Sequence, residues 1–242
     1  METKKNRQCL YCGAKDLVFF IKRKDGINLV KCEKCGLIFT EILPFHEITS
    51  IYSKGYFDKN NIEKIPDIGY VAYSSSNYLD FLWQKDIFYL FYGSHFDSKI
   101  KLLDVGCAHG YFLQLLSYDK RIEAKGIDIA NEAVRKARER NLNVEVKDIL
   151  EETAKYDVIT AWDLIEHIPD IGKFFSKVFD LLKEDGIFIF STPDVGAQIV
   201  KEKGEKWIGF RSSLEHVLYF DRYSLSAIIN DIFNNIPIFL QK

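Results

Sequence analysis

The hydrophobic pattern of the chain changes near residue 99 into an alternation of short apolar runs and segments of helical period. Segments at 111–116, 130–138 and 174–182 carry apolar residues at helical spacing, and each follows a run that is typical of a buried strand. Strands that alternate with helices in this way predict a parallel sheet of the α/β class. The five predicted strands are 100–105, 122–128, 142–149, 156–162 and 187–190.

The end of the chain offers little more sheet. After a predicted helix at 224–233, a single apolar run follows, at 236–240. We therefore expect a sheet of six strands, or one that borrows an edge strand from a partner.

The first predicted strand ends in an acidic residue and a loop of small residues, Asp104 to Gly110. In an open α/β sheet, ligands bind at the carboxyl ends of the strands, and glycines let a ligand approach the backbone closely. A dinucleotide fingerprint needs a small residue where this chain has Tyr111, so a pyrophosphate ligand is disfavoured. The carboxylate of Asp104 instead favours a ligand that carries an ammonium group.

Four cysteines near the start of the chain form two Cys-x-x-Cys pairs, each followed by glycine, and 19 residues separate the second cysteine of the first pair from the first cysteine of the second pair. Each turn can place two sulfurs on one edge of a tetrahedron, and the following glycine supplies the positive φ that closes the turn. Two matched pairs favour zinc over a disulfide or a redox dithiol. Apolar runs at 17–21 and 27–30 flank an Asp-Gly turn and predict a hairpin between the pairs. The predicted ligands of this four-cysteine zinc ribbon are Cys9, Cys12, Cys32 and Cys35.

These patterns divide the chain into three parts. Residues 1–42 are predicted to form the ribbon, residues 43–98 a linker with capping helices, and residues 99–242 the ligand-binding domain. The linker is rich in aromatic residues, among which Tyr56 and Tyr73 are candidate lid residues.

Composition narrows the functional classes. The chain has 242 residues, of which 47% are hydrophobic and 28% charged, as in an ordinary soluble globular protein. No apolar stretch approaches the roughly 20 residues of a membrane helix, and the polar start is unlike a signal peptide, so a cytoplasmic protein is expected. Residues 1–35 carry nine Lys/Arg against four Asp/Glu, but the net charge of the chain is −2, which disfavours a nucleic-acid partner.

Together, these motifs resemble those of class I S-adenosylmethionine-dependent methyltransferases over residues 100–195. The resemblance rests on the loop 104–110, the acidic ends of the second and third strands, the Asp-x-x-Glu-His after the fourth strand and the Leu-Lys-Glu-Asp-Gly turn before the fifth. The ribbon and the segments 204–210 and 215–220 further resemble a subgroup of zinc-ribbon methyltransferases associated with sugar and cell-surface polysaccharide pathways. The resemblance implies a Rossmann-like methyltransferase sheet flanked by helices, with S-adenosylmethionine and zinc as cofactors.

Ten residues at or just after the strand ends are expected to bind S-adenosylmethionine. Asp128 stands 22 residues after Gly106, where a carboxylate can accept both ribose hydroxyl protons. Asp148 is expected either to accept the adenine amino hydrogens or to cap its own loop. Ala108 replaces the middle glycine of the loop, so a negative φ is expected there. The ten residues are Asp104, Gly106, Ala108, His109, Gly110, Asp128, Ile129, Asp148, Ile149 and Trp162.

Two histidines are candidates for the general base of methyl transfer to a hydroxyl. His167 stands just past the fourth predicted strand, and His216 lies in the segment after the fifth. His109, in the cofactor loop, is expected to contact the cofactor tail. Asp163, Glu166 and His167 also resemble the set through which some ubiquinone-pathway O-methyltransferases bind a divalent metal.

The predicted function is S-adenosylmethionine-dependent methylation of a small-molecule acceptor, with O-methylation favoured. A sugar-linked hydroxyl, as in a nucleotide sugar or a glycan, is the narrower prediction, because Trp207, Phe210 and Tyr219 offer flat surfaces on which sugars pack. Two alternatives remain: a zinc-ribbon RNA methyltransferase whose basic ribbon grips phosphates, and a non-catalytic cofactor-binding or interaction module.

Overall fold

The computed structural model describes residues 7–41, 78–95, 98–207, 209–210 and 216–233. Most of the predicted linker, with Tyr56 and Tyr73, and the predicted strand at 236–240 lie outside the described residues. The chain divides into two compact units, and each contains a sheet. The sheet unit comprises Ser50–Leu164 and Lys177–Ser191, and the ribbon unit comprises Met1–Thr49, Ile165–Ser176 and Thr192–Lys242.

The regular elements of the described residues are as follows. The strands are β1 (Leu17–Lys22), β2 (Asn28–Cys32), β3 (Ile38–Thr40), β4 (Ile100–Val105), β5 (Ile122–Asp128), β6 (Val144–Val146), β7 (Tyr156–Trp162), β8 (Leu182–Ser191) and β9 (Leu218–Tyr219). The α-helices are α1 (Leu82–His95), α2 (Tyr111–Leu116), α3 (Asn131–Arg138), α4 (Ile171–Leu181), α5 (Gln198–Lys203) and α6 (Arg222–Phe233). Short 3-10 turns cover Tyr78–Phe81, Ile149–Glu151, Ile165–His167 and Gly204–Lys206.

The sheet unit contains a five-stranded parallel sheet in the order β6-β5-β4-β7-β8. The central strand β4 pairs with β5 on one side and with β7 on the other. In this order the chain passes from β4 outward to β6 and then returns to β7, so the loops after β4 and β7 flank the point where the winding reverses. The α/β fold class predicted from the sequence is confirmed.

Two boundaries differ from the sequence-based expectation. The predicted turn at 182–186 is a bulge inside β8, because Tyr156 pairs with Leu182 whereas Val158 pairs with Ile187. Four residues of β8 thus stand opposite one residue of β7, which shifts the register. Helix α3 begins at Asn131, because Ala130, which the predicted helical segment 130–138 included, occupies the N-cap position.

The loop after β4 packs closely against the core of the sheet unit. Helices α1 and α2 and strand β4 bury Phe88, Phe112 and Leu102 together. Gly126 of β5 lies so close to this loop that a Cβ atom there would stand 2.8 Å from the Sγ of Cys107. Cys107 is therefore a packing residue, and a larger side chain at either position would displace the loop.

The ribbon unit contains an antiparallel sheet in the order β1-β2-β3-β9. The predicted hairpin is confirmed, with β1 paired to β2. The last strand comes from the other end of the chain, since Ile38 pairs with Tyr219 and Phe39 with Leu218. The sheet packs over a hydrophobic core that includes Leu29 and Phe210. No helix among the described residues is long and apolar enough to cross a membrane.

Candidate functional site

The loop after β4 turns back on itself through three left-handed residues. The φ angles are 70° at Gly106, 46° at Ala108 and 75° at Gly110. The expectation of a negative φ at Ala108 is wrong. A left-handed alanine costs roughly 1–2 kcal/mol, and such strain is concentrated at functional sites. At Gly106 the positive φ favours glycine, and a Cβ atom there would also lie 2.8 Å from a methyl group of Leu164 and would displace that side chain.

Asp128, at the end of β5, holds this loop in place. Its Oδ2 accepts the amide hydrogen of Ala108 at 2.9 Å, and its Oδ1 accepts that of Ala130 at 2.8 Å. The strained alanine thus donates its amide hydrogen to a carboxylate at the end of the neighbouring strand. Burial raises the pKa of Asp128 above its usual value, while these backbone hydrogen bonds oppose the rise. One carboxylate therefore ties the loops after β4 and β5 together.

Asp104 is buried beside the same loop. Its Oδ1 accepts a hydrogen bond of 2.7 Å from the hydroxyl of Thr160 on β7. Burial raises the pKa of Asp104 to about 7, and the nearby charge of Asp128 adds to this effect. A cation bound next to Asp104 would favour its ionised form. Thr160 carries no motif of its own in the sequence and is identified only by the pairing of β4 with β7.

Two further sequence-predicted residues lie in the sheet unit, where Trp162 is partly buried and His109 is buried. The ring of Trp162, at the end of β7, packs against Phe112 with centroids 5.2 Å apart, and its Nε1 finds no hydrogen-bond partner among the described residues. His109 is buried, and burial together with the positive charges of Arg140 and Lys136 lowers its pKa to about 4. The imidazole of His109 is therefore neutral at physiological pH.

The loops after β5 and β6 carry the remaining candidates for cofactor binding. The side chain of Ile129 is exposed, whereas Ile149 is buried. Asp148 caps the 3-10 turn Ile149–Glu151, because its Oδ1 accepts the amide hydrogen of Leu150 at 2.9 Å. The capping alternative for Asp148 is thus present in the structure, and its Oδ2 remains available as a second acceptor.

The four ribbon cysteines converge on one point. The sulfurs of Cys9 and Cys35 lie 3.5 Å apart, and those of Cys12 and Cys32 lie 3.6 Å apart. Four sulfurs at about 2.3 Å from a tetrahedral zinc ion stand about 3.8 Å from one another, so these distances fit one ion. The predicted positive φ of the glycine after each pair is confirmed: 68° at residue 13 and 78° at residue 36.

A second cluster in the ribbon unit joins Glu166, His167 and His216. Their potential ligand atoms all lie within 4.8 Å of one another, and the two imidazole rings are 4.8 Å apart between centroids. Glu166 is buried, and its Oε2 accepts a hydrogen bond of 2.9 Å from the hydroxyl of Thr192. The backbone also links the two segments, since the amide of Val217 donates to the carbonyl oxygen of Glu166 at 2.9 Å.

The contact of one ring nitrogen of His216 indicates which tautomer the neutral imidazole adopts. Nδ1 lies 3.2 Å from the carbonyl oxygen of Gly209, which can only accept a hydrogen bond. A neutral His216 therefore carries its proton on Nδ1 and has its lone pair on Nε2, as assigned from this contact. Asp163 makes other contacts: its Oδ1 accepts a hydrogen bond of 2.9 Å from the hydroxyl of Ser191.

The aromatic residues predicted to form a sugar platform lie mostly in the core. Phe210 and Tyr219 are both 3% exposed, and the ring of Trp207 packs edge-on against Phe210 with centroids 5.0 Å apart. The expectation that these three offer flat open surfaces is therefore wrong for Phe210 and Tyr219. Their spacing in the sequence is equally compatible with packing against β2 and β3, which is what the structure contains.

Comparisons with known proteins agree with the fold. A family model described as a methyltransferase domain matches residues 79–232. The ubiquinone biosynthesis O-methyltransferase of Yersinia enterocolitica is 28% identical over 150 residues, which cover 58% of this chain and 55% of that protein. The malonyl-[acyl-carrier protein] O-methyltransferase of Acetivibrio thermocellus is 36% identical over 104 residues, which cover 39% of this chain and 36% of that protein.

The chain spans about half the length of the ubiquinone biosynthesis relatives that it matches. Among solved structures, the plantazolicin methyltransferase BpumL in complex with SAH superposes with a TM-score of 0.59 at 15% identity and covers 78% of each chain. A likeness at this level of identity concerns the fold alone. Because the family model spans more than half of the residues, the chain belongs to the family of methyltransferase-domain proteins.

Proposed function

We propose that the chain is an S-adenosylmethionine-dependent methyltransferase that methylates a hydroxyl group of a small-molecule acceptor. The observation that carries the proposal is the carboxylate of Asp128, which joins the strained loop after β4 to the loop after β5 at the carboxyl ends of two parallel strands. Membership of the methyltransferase family supports group transfer. The two sequence relatives named above are both O-methyltransferases, which favours oxygen as the acceptor atom.

Bound S-adenosylmethionine supplies a methyl group on a positively charged sulfur. Each oxygen of Asp128 accepts one loop amide and keeps a second lone pair, so the carboxylate retains the capacity to accept both ribose hydroxyls. Asp148 would use its second oxygen for the adenine amino group, with Ile129 and Ile149 on the faces of the adenine. These roles follow from the family resemblance and are compatible with the hydrogen bonds already made.

The other end of the cofactor carries an ammonium and a carboxylate. We assign the ammonium group to the neighbourhood of Asp104, whose ionised form a cation would favour. The backbone of Gly106, Ala108, His109 and Gly110 would face the cofactor tail. The indole nitrogen of Trp162, a buried donor, is a further candidate for a polar contact.

For the acceptor, we propose that His216 or His167 removes the hydroxyl proton as the oxygen becomes methylated. His216 has the better-defined geometry, because the carbonyl oxygen of Gly209 holds its Nδ1 and the basic lone pair is on Nε2. Proton removal by a positioned imidazole typically contributes about 10²–10⁴-fold to the rate. The imidazolium that forms would be stabilised by the buried carboxylate of Glu166.

We also propose that Cys9, Cys12, Cys32 and Cys35 bind one zinc ion that stabilises the ribbon. The support is the convergence of the four sulfurs at distances that fit a tetrahedral ion. A site with four thiolates has no open position, so this zinc would be structural and take no part in methyl transfer.

The narrower hypothesis of a sugar-linked acceptor loses part of its basis, because Phe210 and Tyr219 are buried. Of the two alternatives, methylation of RNA has no particular support in the site. A second role for the histidine cluster has a specific observation behind it: Glu166, His167 and His216 are close enough to share a divalent cation. Loss of turnover in EDTA that Mg²⁺ restores would favour that role over general-base catalysis, since the four thiolates of the ribbon select zinc and not Mg²⁺.

The test is methyl transfer from radiolabelled S-adenosylmethionine to a panel of acceptors: small phenols, a malonyl thioester, nucleotide sugars and bulk RNA. We expect label on a small hydroxyl compound. Label on RNA would support the RNA methyltransferase alternative, and absence of transfer to any class together with tight cofactor binding would support the non-catalytic module.

Once an acceptor is found, His216→Gln is expected to lower turnover by about 10²–10⁴-fold while the affinity for S-adenosylhomocysteine is kept. His167→Gln serves as the paired variant. Full activity in both variants would exclude base catalysis by either histidine.

A further inference from the structure

Arg23 lies in the turn between β1 and β2, yet its side chain is fully buried. The guanidinium spans two groups of partners. Its Nε donates to Oδ1 of Asp25 at 3.2 Å, and its Nη2 donates to Oδ2 of the same carboxylate. Its Nη1 points to the other end of the chain and donates to the carbonyl oxygen of His216 and to the hydroxyl of Tyr219, each at 3.1 Å. Burying a charged guanidinium group costs desolvation free energy, so a fully buried arginine is rare unless its N–H groups donate hydrogen bonds.

The carbonyl oxygen of His216 accepts two hydrogen bonds. One comes from Arg23, and the other comes from the hydroxyl of Tyr219 at 3.2 Å. Because Arg23 also donates to that hydroxyl, the three groups form a closed triangle in which the phenol both donates and accepts. Burial raises the pKa of Tyr219 to about 12, so the phenol keeps its proton over the working pH range.

The ribbon holds the residues after His216 as well. The amide of Thr40 donates to the carbonyl oxygen of Val217 at 3.0 Å, and β3 then pairs with β9. The backbone from residue 216 to residue 219 is therefore anchored to the hairpin and to β3. On its other side, the His216 ring is held through Nδ1 by the carbonyl oxygen of Gly209. With both the backbone and the ring held, the direction of Nε2 is defined.

We propose that Arg23 is a positioning residue for His216, through which the zinc ribbon takes part in holding the proposed base. The meaning of this role for catalysis rests on the proposed function, in which His216 contacts the acceptor. The positioning itself rests on the contacts of Arg23 and Tyr219 alone. The basic run at 22–24 gives no sign of it in the sequence, because such a run is typical of a solvated hairpin tip.

The first measurement requires no acceptor. The chain has five histidines, so ¹⁵N-histidine-labelled full-length protein gives few imidazole signals, and His216→Gln identifies the one of interest. Long-range ¹⁵N spectra report which ring nitrogen carries the proton. Reaction with diethylpyrocarbonate followed by peptide mass spectrometry reports the exposure of the ring, with His109 as an internal reference.

The test variants are Arg23→Met, Arg23→Lys and Tyr219→Phe, and Lys24→Met is the matched control. Lys24 is exposed on the same turn and carries the same charge. We expect Arg23→Met to raise the modification rate of His216 at least fivefold and to mix its tautomers. Arg23→Lys and Tyr219→Phe should have smaller effects, because Arg23→Lys keeps a cation that can donate to the His216 carbonyl and Tyr219→Phe keeps Arg23 itself. Lys24→Met should match the parent protein.

Zinc content and affinity for S-adenosylhomocysteine should be unchanged in all four variants. Unchanged tautomer and modification rate in both Arg23→Met and Tyr219→Phe would overturn the proposal. If Arg23→Met loses zinc, Tyr219→Phe decides, because it removes only a hydroxyl.

Turnover then separates this proposal from the proposed function. With an acceptor in hand, Arg23→Met should lower kcat at least tenfold with the KM for S-adenosylmethionine kept, and Arg23→Lys should restore part of kcat. If His216→Gln keeps full turnover while Arg23→Met still disturbs the His216 ring, the positioning stands and the assignment of His216 as base fails. If neither the ring nor kcat responds to Arg23→Met, the positioning fails whatever the function.

Discussion

Replacing Asp128 tests whether one carboxylate both organises the cofactor loops and binds the cofactor. In the structure, its two oxygens already accept the amides of Ala108 and Ala130. Asp128→Ala removes both acceptors together with the proposed ribose contacts. Asp128→Asn keeps one acceptor oxygen but turns an NH₂ group toward the other amide, so the two variants separate the loss of charge from the loss of shape.

The expected magnitude follows from these contacts. Hydrogen bonds to a charged group contribute about 1.5–3 kcal/mol, which corresponds to an increase in the Kd for S-adenosylmethionine of about 10- to 150-fold in Asp128→Ala. The amides of Ala108 and Ala130 lie in buried residues, and each one left without an acceptor costs about 1–3 kcal/mol of folding stability. Removal of a buried charge offsets part of that loss, since burial raises the pKa of Asp128.

Isothermal titration calorimetry with S-adenosylmethionine and S-adenosylhomocysteine measures the affinities, and urea unfolding measures the stability. Glu123→Gln is the matched control, because Glu123 lies on the same strand with an exposed side chain. An affinity of folded Asp128→Ala within twofold of the parent would refute the assignment of the ribose to this carboxylate. Tighter binding of a nicotinamide dinucleotide than of S-adenosylmethionine would refute the choice of cofactor.

Three further predictions follow from the two units. Cys32→Ser should reduce zinc to well under half an equivalent per chain by metal analysis and increase hydrogen exchange in β3 and β9, while the parallel sheet stays protected. Because burial raises the pKa of Asp104 from 3.8 to about 7, the neutral acid favours the folded state, and the free energy of unfolding should fall as pH rises from about 4 to 7. Asp104→Asn should abolish that contribution, whose slope is at most about 1.4 kcal/mol per pH unit, in urea unfolding at several pH values. S-adenosylmethionine should bind more tightly to the parent protein as pH rises through this range, and calorimetry should show no such trend in Asp104→Asn.

Much of the fold could be read from local patterns. The strands at 100–105, 122–128 and 156–162 have the predicted bounds, because a buried parallel strand needs an uninterrupted apolar run whatever its neighbours are. The two cysteine turns are equally local, since four residues and a glycine contain all of the geometry that places two sulfurs together. Asp128 is recognisable as a candidate ligand of the ribose, because it stands 22 residues after Gly106 in the sequence.

Some features depend on contacts that no local pattern encodes. Ala108 has a left-handed φ, and its amide is bound by Asp128, which stands 20 residues further along the chain. The bulge in β8 is defined by the register of this strand against β7. A hydrophobic pattern predicts which face of a strand is buried, but it does not predict a bulge within the strand.

The same limit applies to the residues around His216. Arg23, Glu166 and His216 belong to segments that are far apart in the chain, and each on its own resembles an ordinary charged or polar surface residue. Pairing of β3 with β9 brings the first and last segments together, and burial then makes hydrogen bonds between them obligatory. The sequence specifies which residues can take part in chemistry, whereas the long-range pairing of strands decides which of them lie together. The physical reason is that strands pair through backbone hydrogen bonds, which every non-proline residue can form, so the side chains do not identify the partner strand.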